Sequence, residues 1–453
     1  MFKRLNLIVF VLIMVASLAS YSFGESKNDV KGDSQTTKSQ TAELQQKCDK
    51  RELFKDSFAS EQALRVMGLA YERAADIQVC LNVVNDIIEG DDKSWYQEWR
   101  KLADRVYARA VLEEKNGHTI SAGESYLQAA NYYNMSSFYT RGNPPPAETI
   151  EIIKKCRESY LKAIPYLPNY KIEPVKIPYE NTTLPGYFIK SAHNNKNKSP
   201  LVIIHTGFDG TAEEYSIWPG FGAADRGYAV LVFEGPGQGS TPILQKLYFR
   251  PDWERVVGPV IDFAVKRPDV DSTKIALYGL SMGGYLAPRA AAGDNRIKAL
   301  IANGGILSFW KGVAAKLPAK MALNEPEKFN AVMAKASQTN QFVRWIYNNG
   351  QMTFGVNDPA SVIKKFKDYD RYDYNKITCP TLIITNEGEK IIEKAGGPDE
   401  LYDTLTCPKT MMVFTYAEGA QLHVETAAHG VANSRIFDWL DDVFAGKPVP
   451  AKL

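Results

Sequence analysis

The chain is predicted to be an α/β protein, a mostly parallel doubly wound sheet preceded by an all-helical unit. Two observations carry this. Apolar runs of strand length alternate with helical segments after residue 170, and helical periodicity dominates before it.

The runs LVIIHT (201–206), AVLVFEG (229–235), KIALYGL (274–280), IKALIANGG (297–305), TLIIT (381–385) and KTMMVFTY (409–416) suit strands buried on both faces of a parallel sheet. Helical segments at 252–267, 282–293 and 398–405 separate most of them. VKIPYE and LPGYFIKS read as two further strands around the turn Asn181-Thr182-Thr183. The stretch from about 307 to 377 is longer than a crossover needs. It reads as a helical insertion over the C-terminal edge of the sheet, where α/β folds place their ligands.

In the helical unit, residues 50–168, Met67, Ala70, Ala74, Ile77, Leu81, Val84 and Ile88 recur at steps of three and four and predict one continuous stripe. Trp95, Trp99, Leu102, Val106 and Ala110 form a second stripe; Ala122, Tyr126, Ala129 and Tyr133 form a third. Pro144-Pro145-Pro146 breaks the chain before a fourth helix. Periodicity makes these rings core first. Together with Tyr132, Phe138 and Tyr139, and with Phe309, Trp310, Trp345 and Tyr347 of the insertion, enough remain to line an apolar pocket for a small-molecule substrate.

Composition excludes several classes. A net charge of +2 over 453 residues gives no field that would gather nucleic acid or an acidic partner. Lys3 and Arg4 precede an apolar run from Leu7 to Val15, too short for a comfortable span. Residues 1–24 therefore read as a secretory signal peptide, with an uncleaved membrane anchor as the alternative, and residues 25–49 as a flexible linker. The expected product is an exported chain, periplasmic or extracellular, without a membrane span; a homodimer stays open. The five cysteines match no zinc spacing. Cys379 and Cys407 each precede a proline at a strand start and are expected as buried thiols, with a bridge between them as the alternative.

Gly279-Leu280-Ser281-Met282-Gly283-Gly284 is the strongest signal. It matches G-x-S-x-G with a buried strand before it and a helix after it, the setting of a nucleophile elbow and hence of the α/β-hydrolase fold, with residues 169–453 as the catalytic domain. A serine hydroxyl needs a base. In this fold the order is Ser, acid, His, which leaves His423 and His429. His423 sits in a loop after the last strand and is preferred; His429 reads as a solvated residue of the final helix. The acid belongs after TLIIT, where Glu389 is the candidate and Glu387 the alternative. The oxyanion donors are expected at Met282 and, after LVIIHT, at Phe208. No metal-ligand spacing or dinucleotide fingerprint appears, so no cofactor is expected.

The run Gly279 to Ala290 resembles the α/β-hydrolases related to 2,6-dihydroxypseudooxynicotine hydrolase, together with fermentation–respiration-switch-type esterases and fungal hydrolases of pigment pathways. VKIPYENTTLPGYF, FEGPGQGS, MTFGVNDPASVIKKFKDY, TCPKT, GAQLH and IFDWL extend the likeness to nearly everything after residue 60. The resemblance implies a helical cap over the active site, Ser281 as nucleophile, His423 of GAQLH as base and Glu389 as acid. It implies cleavage of a carboxylic ester or of a carbon–carbon bond beside a ketone. Asn386-Glu387-Gly388-Glu389 departs from the G-E-x-D turn of many relatives. Two other readings stay open, a serine peptidase of prolyl-oligopeptidase type and a catalytically silent binding protein. The helices at 50–165 count against the first, and Ser281 with His423 against the second.

Overall fold

The computed structural model describes residues 53–194, 197–314, 317–392 and 394–453. The signal-peptide and linker assignments fall outside them. Eight strands form one sheet: β1 (Tyr170–Tyr179), β2 (Thr182–Ser191), β3 (Ser199–His205), β4 (Ala229–Phe233), β5 (Val270–Leu280), β6 (Ala299–Asn303), β7 (Thr381–Asn386) and β8 (Lys409–Phe414). Their order is β1-β2-β4-β3-β5-β6-β7-β8, antiparallel across β1, β2 and β4 and parallel from β4 to β8. This is the doubly wound sheet that the apolar runs predict.

Strand alternation splits the interior into two cores. Val202 and Ile204 of β3 with Ala276 and Tyr278 of β5 face the helical unit; Leu201, Ile203, Ile275 and Leu277 face away from it. Register then fixes where chemistry can sit. His205 pairs with Gly279, and Leu280 with Asn303, so β3, β5 and β6 end together at one edge.

The helical unit contains five α-helices among the described residues, one more than expected: α1 (Ser57–Gly68), α2 (Ile77–Asp86), α3 (Asp92–Lys115), α4 (Thr119–Ser136) and α5 (Ala147–Ala163). The extra one arises because the stripe from Met67 to Ile88 is not continuous. After a short 3-10 turn the backbone becomes left-handed at Arg73 (φ 63°), and α2 restarts with a rotated face. Cys80, Val83 and Val84 are buried, while Ile77 and Ile88 are 55% and 66% exposed. Side chains of α4 satisfy the backbone at the break. Asn131 Nδ2 donates to Val66 O (3.2 Å) and Ala74 O (2.9 Å), and Asp76 N donates to Tyr132 Oη (3.0 Å). Spacing alone cannot see this, because a helix and a broken helix share the same residues until such partners are known. The stripes of α3 and α4 are buried as read.

Between β6 and β7 run five helices among the described residues: α6 (Phe309–Ala314), α7 (Leu317–Asn324), α8 (Pro326–Ala336), α9 (Gln341–Phe354) and α10 (Pro359–Phe366). Arg157 of α5 ties the helical unit to the sheet side, donating to Glu213 (2.9 Å) and to the fully buried Glu234 (3.2 Å). Cys80, Cys156, Cys379 and Cys407 are buried and unpaired with one another. Among the described residues no helix is long and apolar enough to cross a membrane.

The bridging role of Asn131 has a measurable consequence. Asn131→Ala strips a donor from two carbonyls in the interior and should lower the unfolding free energy by about 1–3 kcal/mol. Urea titration followed by circular dichroism measures it, and an unchanged midpoint would contradict the role given to the break.

Candidate active site

Ser281 follows β5 directly, with φ 59°, a left-handed conformation in a residue that carries a side chain. Its N–H donates to Asn303 O (2.9 Å), and its carbonyl accepts from Gly284 N (2.7 Å). Two glycines make room for this turn. A Cβ on Gly279 would stand 2.2 Å from Gly283 O, and one on Gly284 would stand 2.4 Å from Gly304 O.

 The helix that follows Ser281 spans Gly283–Gly293, and its first turn abuts the serine, where its N-terminal dipole favours negative charge. Gly207 closes the opposite side, since a Cβ there would lie 2.7 Å from Ser281 Cβ and 3.0 Å from Met282 N. The Gly207–Phe208 turn therefore faces the Met282 N–H. Asn349 of α9 holds the Phe208 carbonyl (3.0 Å), and Arg141 holds that of Asp209 (3.1 Å).

His423 lies on the loop after β8, with Nε2 2.8 Å from Ser281 Oγ and Nδ1 2.6 Å from Glu389 Oε2. Glu389 Oε1 accepts from Ile391 N (2.7 Å) and Ile392 N (3.1 Å). Burial alone would raise the Glu389 carboxyl, but the imidazole and the two N–H groups hold it below its ordinary value. Burial likewise disfavours the imidazolium, yet the Glu389 charge and hydrogen bond outweigh it and raise His423 to about 8. Glu387 is exposed and accepts from Tyr416 N (2.7 Å), away from this group.

The expectation of a solvated His429 is corrected. His429 begins the final helix (His429–Phe444) and is buried, its ring 4.3 Å from Trp218 in a stacked pair and its Nδ1 3.1 Å from Glu72 Oε2. Helical spacing placed it beyond the strand end, but it could not show that the first helical unit covers that helix terminus. The loop that carries His423 also hides Glu425, which no sequence pattern marks. It is fully buried and accepts from Asn303 Nδ2 (2.6 Å) and Asn386 Nδ2 (3.0 Å), and burial lifts its carboxyl to about 7.

Ser281 and His423 open into a cavity of about 260 Å³. Its apolar wall includes Phe208, Phe309, Trp345, Tyr347 and Ile392. The helical unit contributes different residues from those expected. Trp95, Trp99, Tyr126, Tyr132, Tyr133, Phe138 and Tyr139 are core, whereas Phe58, Glu61, Gln62, Arg65 and Leu69 of the α1 region line the cavity. Their spacing of three, one, three and four puts them on one helical face, and that polar-flanked face was the available signal. Arg65 is satisfied by Glu214 (2.5 Å) and Asp209 (3.0 Å). Among the described residues no group of three or more His, Cys, Asp or Glu is disposed to hold a metal ion.

Comparisons with known proteins agree with this architecture. The family model Esterase FrsA-like matches residues 70–335. Hydrolase LUC6 of Fusarium sp is 30% identical over 412 residues, covering 87% of this chain and 98% of that protein. The 20-hydroxy-prefusarin hydrolase FUS2 of Gibberella moniliformis is 31% identical over 414 residues, covering 87% and 98%. Among solved structures, the 2,6-dihydroxy-pseudo-oxynicotine hydrolase superposes with a TM-score of 0.63 over 85% of this chain and 99% of that one, at 20% identity, a likeness of fold.

The His423–Glu389 contact can be tested without any substrate. Below a pH of about 8 the ring should be protonated and above it neutral, so its ring protons should titrate near that value by NMR. In Glu389→Gln the raising charge is gone while burial remains, and the midpoint should fall below the ordinary histidine value. A midpoint unmoved by Glu389→Gln would mean that the carboxylate does not act on the ring.

Proposed function

Because the chain belongs to the FrsA-like esterase family and is a hydrolase of the α/β type, we propose that it cleaves a small ester, or a carbon–carbon bond beside a ketone, with Ser281, His423 and Glu389 as its catalytic triad. The observation that carries this is the hydrogen-bonded chain from Ser281 Oγ through His423 to Glu389, at 2.8 and 2.6 Å, opening into a covered and mainly apolar cavity.

His423 Nε2 takes the Ser281 proton as Oγ attacks the substrate carbonyl. The new oxyanion meets the Met282 and Phe208 N–H groups, and Glu389 stabilises the imidazolium. Collapse of the tetrahedral intermediate breaks the bond to the leaving group, which takes the proton from His423. An alcohol leaves from an ester; from a β-diketone the leaving carbon departs as an enolate, which is then protonated. Water, deprotonated by His423, attacks the acyl-enzyme and frees Ser281. Helices α1–α5 act as a cap in this reading, because α1 supplies one wall of the cavity. Excluding water there strengthens each hydrogen bond to the oxyanion.

A fluorophosphonate probe should label Ser281 in the wild type and leave Ser281→Ala untouched. Hydrolysis of short-chain p-nitrophenyl esters should fall by roughly three orders of magnitude or more in Ser281→Ala and His423→Ala. Glu389→Gln should cost much more than Glu387→Gln. Full activity in His423→Ala, or loss on His429→Ala through kcat with the fold intact, would overturn the assignment. Rapid cleavage of folded proteins with no turnover of small esters would overturn the substrate class.

A further inference from the structure

Glu61 is the one cavity-lining carboxylate that the mechanism leaves unused and that has no cation paired with it among the described residues. Its neighbours on α1 are accounted for. Arg65 is held by Glu214 and Asp209, and Gln62 Oε1 accepts weakly from Arg65 Nη1 at 3.3 Å. Burial, helped by the nearby Glu389 charge, lifts the Glu61 carboxyl to about 7, against the His423 imidazole, Lys390 and the His423 backbone, which favour its charged form. A carboxyl kept in such a place costs stability, because it has given up part of its hydration without gaining a full set of partners. One backbone donor cannot satisfy its acceptor sites, which number about four.

The group that completes it must come from the cavity. It must offer hydrogen, since Glu61 in its charged form only accepts. It should also be neutral. The reaction makes a cation at His423, beside Glu61, and Lys390 already lies nearby while Asp209 and Glu214 are taken up by Arg65, so an ammonium would be opposed at the moment of catalysis. A hydroxyl or enol meets both conditions.

Resting on the serine-hydrolase reading above, we propose that Glu61 forms a subsite for a hydroxyl or enol group of the substrate, held beside the scissile carbonyl. The subsite sets specificity by rejection as much as by attraction. A substrate lacking the hydroxyl would bury Glu61 with its acceptors unfilled, and such sites discriminate strongly against the analogue that lacks the donor.

Phenylboronic acid and its 2-, 3- and 4-hydroxy and matching methoxy derivatives test this. Each can bond boron to Ser281 Oγ, the hydroxyl proton passing to His423, so all report on one anchored ring scanned by position. Binding is read by calorimetry on the full chain. At least one hydroxy isomer should bind about tenfold or more tightly than the parent, and its methoxy partner should not. Glu61→Leu should erase that ratio, and Glu61→Gln, which keeps an accepting oxygen, should retain part of it. The ratio separates a subsite from a purely positioning role, which would weaken every boronate alike. The absence of any gain, an equal gain from a methoxy isomer, or a gain that survives Glu61→Leu would each overturn the subsite. If phenylboronic acid fails to protect Ser281 from a fluorophosphonate, the serine-hydrolase reading falls, and the subsite falls with it.

Discussion

Ser281 stands with φ 59° at the end of a strand, and the packing around it follows from the room that this conformation requires. Holding a side-chain-bearing residue in that region costs about 1–3 kcal/mol, which the surroundings must offset. They do so through the two hydrogen bonds on its own peptide groups and through glycines set where any Cβ would strike backbone. Gly279 and Gly284 serve the turn itself, and Gly207 lets the neighbouring loop approach the Met282 N–H. Strand register brings these pieces to one edge. The same constraint that exposes the hydroxyl therefore also builds the place where an oxyanion would sit.

The polar network around this point is laid out by charge. Glu389 is ionised and close to His423, and its second oxygen is occupied by two backbone N–H groups, so it cannot swing away from the ring. Two elements converge on Phe208 and Asp209, because Asn349 on a helix of the insertion and Arg141 of the helical unit each hold one carbonyl. The elements that look peripheral in chain order thus fix the geometry of the centre. Removing them would free the turn as well as uncover the cavity.

Much of the sheet was legible because buried parallel strands leave uninterrupted apolar runs, and the elbow was legible because only glycine fits its contacts. The pairing of Glu389 rather than Glu387 with His423 follows from one step along a turn, a distinction that spacing could favour without displaying. Other features were not legible for a physical reason. The break at Arg73 depends on Asn131 and Tyr132, more than fifty positions away, accepting or donating where the helix cannot. His429 looks solvated until Glu72 and Trp218 fold over it. Glu61 and Arg65 look like an ordinary polar flank of α1, since periodicity tells which residues share a face and not what the face meets.

Glu425 shows how the site handles a buried acid that it needs for shape and not for charge. Its backbone is left-handed (φ 53°), as is that of Val424 (φ 47°), so the loop carrying His423 makes a turn that its residues do not favour. The Glu425 side chain anchors that turn to the ends of β6 and β7 through Asn303 and Asn386. An arginine there would satisfy the carboxyl more strongly, but it would place a fixed cation behind His423 and work against the protonated ring that Glu389 favours. Two asparagine amides supply donors with no net charge. Burial lifts the Glu425 carboxyl to about 7, so near neutrality it is charged only in part. The loop is held firmly while the largest favourable field on the imidazole remains that of Glu389.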